Sequence, residues 1–215
     1  IEETIATSTI EAARTETLCQ WISSLTSPWT PGSWEDICDR SMEMFPGPLT
    51  MFAFDIDMSR RNAALMAGQI LPDGRIGVSL VQTWESQISV DELKIAADIK
   101  GWCDQYKPRV VLYDRYSTLA VAERLQNAGV MVETIVGVDF YAACSTLKDA
   151  IDNRRIAHAG QQVLDEQMNN CGAKSTDSSW RIVRKASAGP VVGPISLAML
   201  VSKLSQPQSK PQIVA

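Results

Sequence analysis

Only one histidine, His158, occurs in the 215 residues. That excludes an H-E-x-x-H zinc site, which needs two histidines on one helix face. A Ser-His-Asp system would have to use this one base, and no G-x-S-x-G elbow is present to carry the serine. Neither G-x-x-x-x-G-K-[ST] nor G-x-G-x-x-G occurs, so the chain has no phosphate-cradling glycine loop of its own. No apolar run reaches the roughly 18 residues of a membrane-spanning helix, and no membrane partner is expected. The five cysteines, Cys19, Cys38, Cys103, Cys144 and Cys171, are odd in number and scattered. Without a C-x-x-C pair they predict buried thiols in a reducing compartment rather than zinc ligands. The net charge of −5 argues against coating nucleic acid by bulk charge, but a local basic patch remains compatible with it.

What is present is an ordinary globular composition, 45% hydrophobic and 21% charged, enough for a sizeable core. The opening residues Ile1, Glu2, Glu3 and Thr4 are unlike a signal peptide, and no methionine starts the chain, so a piece of a longer protein is expected. Ser8 to Leu25 predicts an amphipathic helix, with Ile10, Ala13, Leu18, Trp21 and Ile22 roughly on one face. A Pro/Gly/Trp-rich stretch from Ser27 to Trp34 breaks it. Residues 1–48 are therefore expected to be a helical linker flank, 49–204 the main domain, and 205–215 a disordered Pro/Gln/Ser-rich tail.

From Leu49 the pattern turns to strands. Thr50 to Asp57 alternates, with Phe52, Phe54 and Ile56 on one side and Ala53, Asp55 and Asp57 on the other. Asn62 to Ile70 and Arg75 to Thr83 form a hairpin through Pro72-Asp73-Gly74. A helix over Ser89 to Tyr106 is predicted, with Ser89 and Glu92 as a capping box. Further expectations are a buried strand from Arg109 to Asp114, a helix from Ser117 to Ala128 and a strand from Val130 to Val136. Helices follow at Asp139 to Asn153 and Gln161 to Cys171, then a strand at Trp180 to Lys185 and a last helix at Pro194 to Leu204. The order β-β-β-α-β-α-β-α predicts an α/β fold, a mixed β-sheet with helices on both faces.

Carboxylates are the remaining candidates for chemistry. Asp55 and Asp114 each end an apolar strand, where an ionised carboxylate is costly unless paired or metal-bound. Acids from the ends of two neighbouring strands would share one crevice. Such acids can hold two Mg²⁺ or Mn²⁺ ions for in-line attack at phosphorus. A strand-end Asp equally serves to cap a loop. Asp57 is an auxiliary ligand or a solvent-facing cap. Basic residues cluster at Arg60 and Arg61, at Arg154 and Arg155, and at Arg181, Arg184 and Lys185. They are candidate phosphate contacts or simply a solvated surface. His158 is either a structural histidine or a DNA contact.

At these residues the sequence resembles the large terminase subunits of tailed phages. Glu16-Thr17-Leu18-Cys19-Gln20-Trp21 is similar to the E-x-L-x-x-W segment that follows that family's ATPase domain. Phe52-Ala53-Phe54-Asp55 resembles its first catalytic strand and Val111-Leu112-Tyr113-Asp114 its second. Arg155-Ile156-Ala157-His158 with Leu164 and Asn169-Asn170, and then Arg181 with Lys185, follow in the family's order. The resemblance implies a ribonuclease H-like endonuclease domain that cuts concatemeric double-stranded viral DNA, with a missing ATPase motor ahead of residues 1–48. It implies Asp55 and Asp114 as catalytic metal ligands and Mg²⁺ or Mn²⁺, two ions, as cofactor. Implied partners are DNA, the portal protein and procapsid, and the small terminase subunit. The implied location is the host cytoplasm, transiently docked at the procapsid. One departure stands out: Gly193 occupies the position where the family has a third Asp, and glycine binds no metal. Either cleavage is weakened, or another acid such as Asp57 substitutes, or the correspondence is offset there. The rivals are a transposase- or resolvase-type nuclease, and a catalytically silent module that docks to the portal or guides DNA.

Overall fold

The computed structural model describes residues 27–175 and 180–206. The helix expected at 8–25 and the tail beyond 206 lie outside these residues. A six-stranded mixed sheet forms the centre, in the order β5-β4-β1-β2-β3-β6. Its strands are β1 (Met51–Ile56), β2 (Asn62–Ile70), β3 (Ile76–Glu85), β4 (Val111–Tyr113), β5 (Val132–Thr134) and β6 (Ile156–His158). Strand β2 runs antiparallel to both β1 and β3, while β4 joins β1, β5 joins β4 and β6 joins β3 in parallel. The helices are α1 (Glu92–Tyr106), α2 (Arg115–Asn127), α3 (Val138–Asp152), α4 (Gln162–Asn169) and α5 (Val192–Ser205). A small hairpin, β7 (Ala173–Ser175) with β8 (Trp180–Ile182), lies apart from the main sheet.

Strand β1 has side chains of alternating character, yet all six residues are buried. Phe52, Phe54 and Ile56 pack with Ile95, Ile99, Val121 and Leu125 of α1 and α2 on one face. Met51 and Ala53 pack on the other with Leu147 and Ile151 of α3 and Leu197 and Leu200 of α5. Both faces are therefore covered, as is usual where helical crossovers join parallel strands such as β1 and β4. Helix α5 is buried around nearly its whole circumference, so it forms an internal helix rather than an amphipathic one. Its direction matters for the site. A Cβ on Gly68 would come 3.0 Å from Leu204 Cδ1, and Gly68 pairs with Met51 at the start of β1. The last turn of α5 thus lies at the start of β1, and its first turn at the Asp55 end.

Several predicted boundaries shift. The N-cap of α1 is Asp91, whose carboxylate accepts from Leu93 N and Lys94 N at 2.9 and 3.2 Å, so the Ser89–Glu92 box is not used. The acid at position 114 itself caps α2, accepting from Tyr116 N at 3.1 Å, which starts that helix two residues early. In α5, Val191 is the cap and Pro194 sits third, still within the first turn, where no backbone donor is needed. Strands β6 and β7 were not expected, because their three residues sit in no longer apolar run, unlike those of β4, β5 and β8. Cys103, Cys144 and Cys171 are buried free thiols, but Cys38 is exposed. Trp29, Trp34 and Ile37 belong to the same buried cluster as α3 and α5.

Candidate functional site

Phe54 pairs with Tyr113 across the parallel β1–β4 ladder, so Asp55 and Asp114 are the next residues along two adjacent strands. Asp55 is fully buried, on the α5 face of β1. Burial pushes its carboxyl up to about 6 against the pull of the Arg184 guanidinium, and the neighbouring charges of Asp114 and Asp57 add to the rise. Ser117 Oγ on α2 also approaches Asp55 Oδ1, at 3.5 Å.

Arg184 is among the expected phosphate contacts, but its guanidinium is turned inward onto Asp55. A single nitrogen, Nη2, donates to both Oδ1 and Oδ2, at 2.7 Å each. Arg184 lies in a 3₁₀ turn, Arg184–Ala186, immediately after β8. Burial alone would lower its pKa; Asp55 chiefly, with Asp114 and Asp57, holds it raised. Asp57 stands beyond the end of β1. Burial disfavours its charge, but hydrogen bonds from Asn62, Ser59 and the Arg61 backbone outweigh that and hold its carboxyl below the ordinary value. Both its oxygens are taken by these local donors.

A cleft of about 630 Å³ opens over Asp114 and Arg184. Lys174, Arg181 and Lys185 line it together with Tyr116 and Tyr141, and Arg181 lies 5.2 Å over the Tyr141 ring. A locally cationic cleft thus exists in an acidic chain. Lys174 and Ser117 escaped sequence reasoning, since a lysine in a three-residue strand and a serine in a helix's first turn carry no local signal. Arg60 is engaged in an ion pair with Glu92 of α1, and neither it nor Arg61 lines this cleft.

His158 is 2% exposed and stacks on Trp34 at a centroid separation of 3.9 Å. Its Nε2 lies 3.0 Å from the Trp34 carbonyl oxygen, and its Nδ1 accepts from Gly160 N at 3.2 Å. A ring so enclosed has no access to a duplex. His158→Ala is expected to lower the melting temperature and leave DNA affinity unchanged. Lost affinity in a variant with native circular dichroism would place the ring at the DNA instead.

The implied metals can be tested against these side chains. Asp55 spends both oxygens on Arg184, Asp57 spends its own locally, and Gly193 brings no donor. Among the described residues no group of three or more His, Cys, Asp or Glu is placed to hold one ion. In this arrangement the residues do not fit a two-ion centre.

Sheet order, helices on both faces and acids ending adjacent strands define a ribonuclease H-like fold. No known family pattern matches the sequence, and no curated protein does. Solved structures do match. The large terminase of bacteriophage HK97 superimposes with a TM-score of 0.72 at 16% identity, over 83% of this chain and 43% of that one. The large terminase nuclease domain of Thermus phage P74-26 gives 0.57 at 14% identity, over 76% of this chain and 85% of that one. The large terminase nuclease of thermophilic phage G20c with bound magnesium gives 0.56 at 14% identity, over 74% and 84%. The G20c nuclease is also known with cobalt and with zinc. At these identities the likeness is one of fold, and this chain spans less than half of the HK97 protein.

Proposed function

We propose that this chain is the nuclease module of a DNA-packaging large terminase, cutting double-stranded viral DNA at the Asp55–Asp114 face. The observation that carries this reading is the adjacency of those two acids beneath a cleft lined by Lys174, Arg181 and Lys185. The cations take successive phosphates of a duplex and position it, since phosphate contacts fix register without reading bases. Asp55 and Asp114 are the catalytic carboxylates. A divalent cation, Mg²⁺ or Mn²⁺, would supply charge stabilisation and an activated water, and it does not fit while Arg184 holds Asp55. The portal protein, procapsid and small terminase subunit would be partners of the intact motor, in the host cytoplasm.

Plasmid nicking with Mg²⁺ or Mn²⁺ tests this. Asp55→Asn and Asp114→Asn are each expected to lower the rate at least about a hundredfold, the scale of removing one electrostatic stabiliser of a transition state. Arg181→Ala and Lys185→Ala should each weaken duplex binding and reduce the salt slope by about 1. Nicking that persists in Asp55→Asn would sink the proposal. Duplex binding by the wild type with no nicking under either ion would favour the silent DNA-guiding module, which the Arg184–Asp55 pair also supports.

A further inference from the structure

We propose that Arg184 is the resident counter-cation of Asp55, standing where a divalent ion would stand, so that metal loads only when the Arg184 turn is displaced. This rests on the nuclease reading and concerns the regulation of that same site.

The contact has the geometry of a point charge on a carboxylate. One nitrogen straddles both Asp55 oxygens, rather than two nitrogens forming the parallel fork typical of an arginine–carboxylate pair. The cost is visible on the same side chain: Arg184 Nε is buried and has no hydrogen-bond partner among the described residues. A buried donor left unpaired weakens the closed arrangement relative to an open one in which water or a phosphate satisfies it. Asp114 ends the strand adjacent to that of Asp55 and Asp57 lies two residues beyond it, so the departure of the guanidinium leaves concentrated negative charge for an incoming cation. On the cleft side, a duplex phosphate among Lys174, Arg181 and Lys185 offers Arg184 another acceptor.

The turn is docked by a specific close approach. Val183 N donates to the Gly172 carbonyl at 2.9 Å, Gly172 N donates to Ser187 Oγ at 3.0 Å, and Ala188 N donates to the Asn170 carbonyl at 3.0 Å. A Cβ on Gly172 would lie 2.0 Å from the Ala186 carbonyl oxygen. Only glycine lets the turn seat this deeply, and any side chain at 172 pushes it outward. Gly172→Ala therefore moves Arg184 without altering either charged residue.

Mn²⁺ affinity of the full 215-residue chain, measured calorimetrically without DNA, tests the inference. Arg184→Gln is expected to bind Mn²⁺ roughly tenfold or more tightly than wild type, because one competing charge next to a buried acid is gone. Arg184→Lys should stay near wild type, since an ammonium supplies the same point charge. Arg184→Gln with Asp55→Asn should lose the gain. Should Arg184→Gln fail to fold by circular dichroism, Gly172→Ala carries the test, and tighter binding is expected there too. Equal affinity in wild type and the opened variants, or a gain that survives Asp55→Asn, overturns the proposal. If affinities are equal while nicking still depends on Asp55, the latch fails and the nuclease reading stands. Nicking indifferent to Asp55 removes the nuclease reading itself.

Discussion

Trp34→Ala is expected to destabilise the chain by about 3–5 kcal/mol, the usual range for truncating a buried tryptophan. The side chain is 2% exposed. It covers His158, donates from Nε1 to Asp165 Oδ1 at 2.8 Å, and sits in the core shared by α3 and α5. Its neighbours reach the same edge: Cys38 bridges to His158, and Asp39 N donates to the His158 carbonyl at 2.8 Å. Residues 34–39 thereby cover the outer edge of β6, where open backbone groups would otherwise invite pairing with another chain. Urea unfolding of wild type and variant at constant m measures the loss. A change below about 1 kcal/mol would mean that these residues add little to the fold, as a linker flank over 1–48 would, because surface substitutions cost that little.

Gly193→Asp is expected to cost about 2–4 kcal/mol and to add no Mn²⁺ affinity. Gly193 lies in the first turn of α5, at the Asp55 end of the sheet, at the position where the family resemblance implies a third acid. The direction of the side chain decides otherwise. A Cβ at 193 would meet Gln167 Oε1 at 3.0 Å and Leu164 Cδ1 at 3.3 Å, both on α4. Gln167 Oε1 already accepts from Gly193 N at 2.8 Å in a buried position. A carboxylate would face an acceptor oxygen and a leucine, and charge there is unfavourable without a partner. Gly193→Ala separates the two contributions, since it adds the Cβ without the charge and gains some helix propensity. Chemical denaturation and Mn²⁺ calorimetry on wild type and both variants check this. Wild-type stability in Gly193→Asp, together with tighter Mn²⁺ binding, would restore the third-ligand account.

The strands around Asp55 were legible because their information is local. Alternation from Phe52 to Ile56 and the turn at Pro72-Asp73-Gly74 fix β1, β2 and β3 almost to the residue. The placement of Asp55 and Asp114 at the ends of apolar runs was legible for the same reason. Strands β6 and β7 were not, since unlike the equally short β4, β5 and β8 they lie in no longer apolar run that marks a strand. The covering of both sheet faces followed from the helix–strand order, although which helix covers which face did not.

The sequence by itself determined a mixed α/β order of elements and two acids at the ends of apolar strands, because side-chain period and turn chemistry act within a few residues; that those strands are neighbours came from the β1–β4 pairing. Tertiary structure alone decided that Arg184, 129 positions away, neutralises Asp55, that His158 is sealed under Trp34, and that position 193 faces α4. A buried charge must find a counter-charge wherever packing brings one, and no local pattern specifies which residue that is.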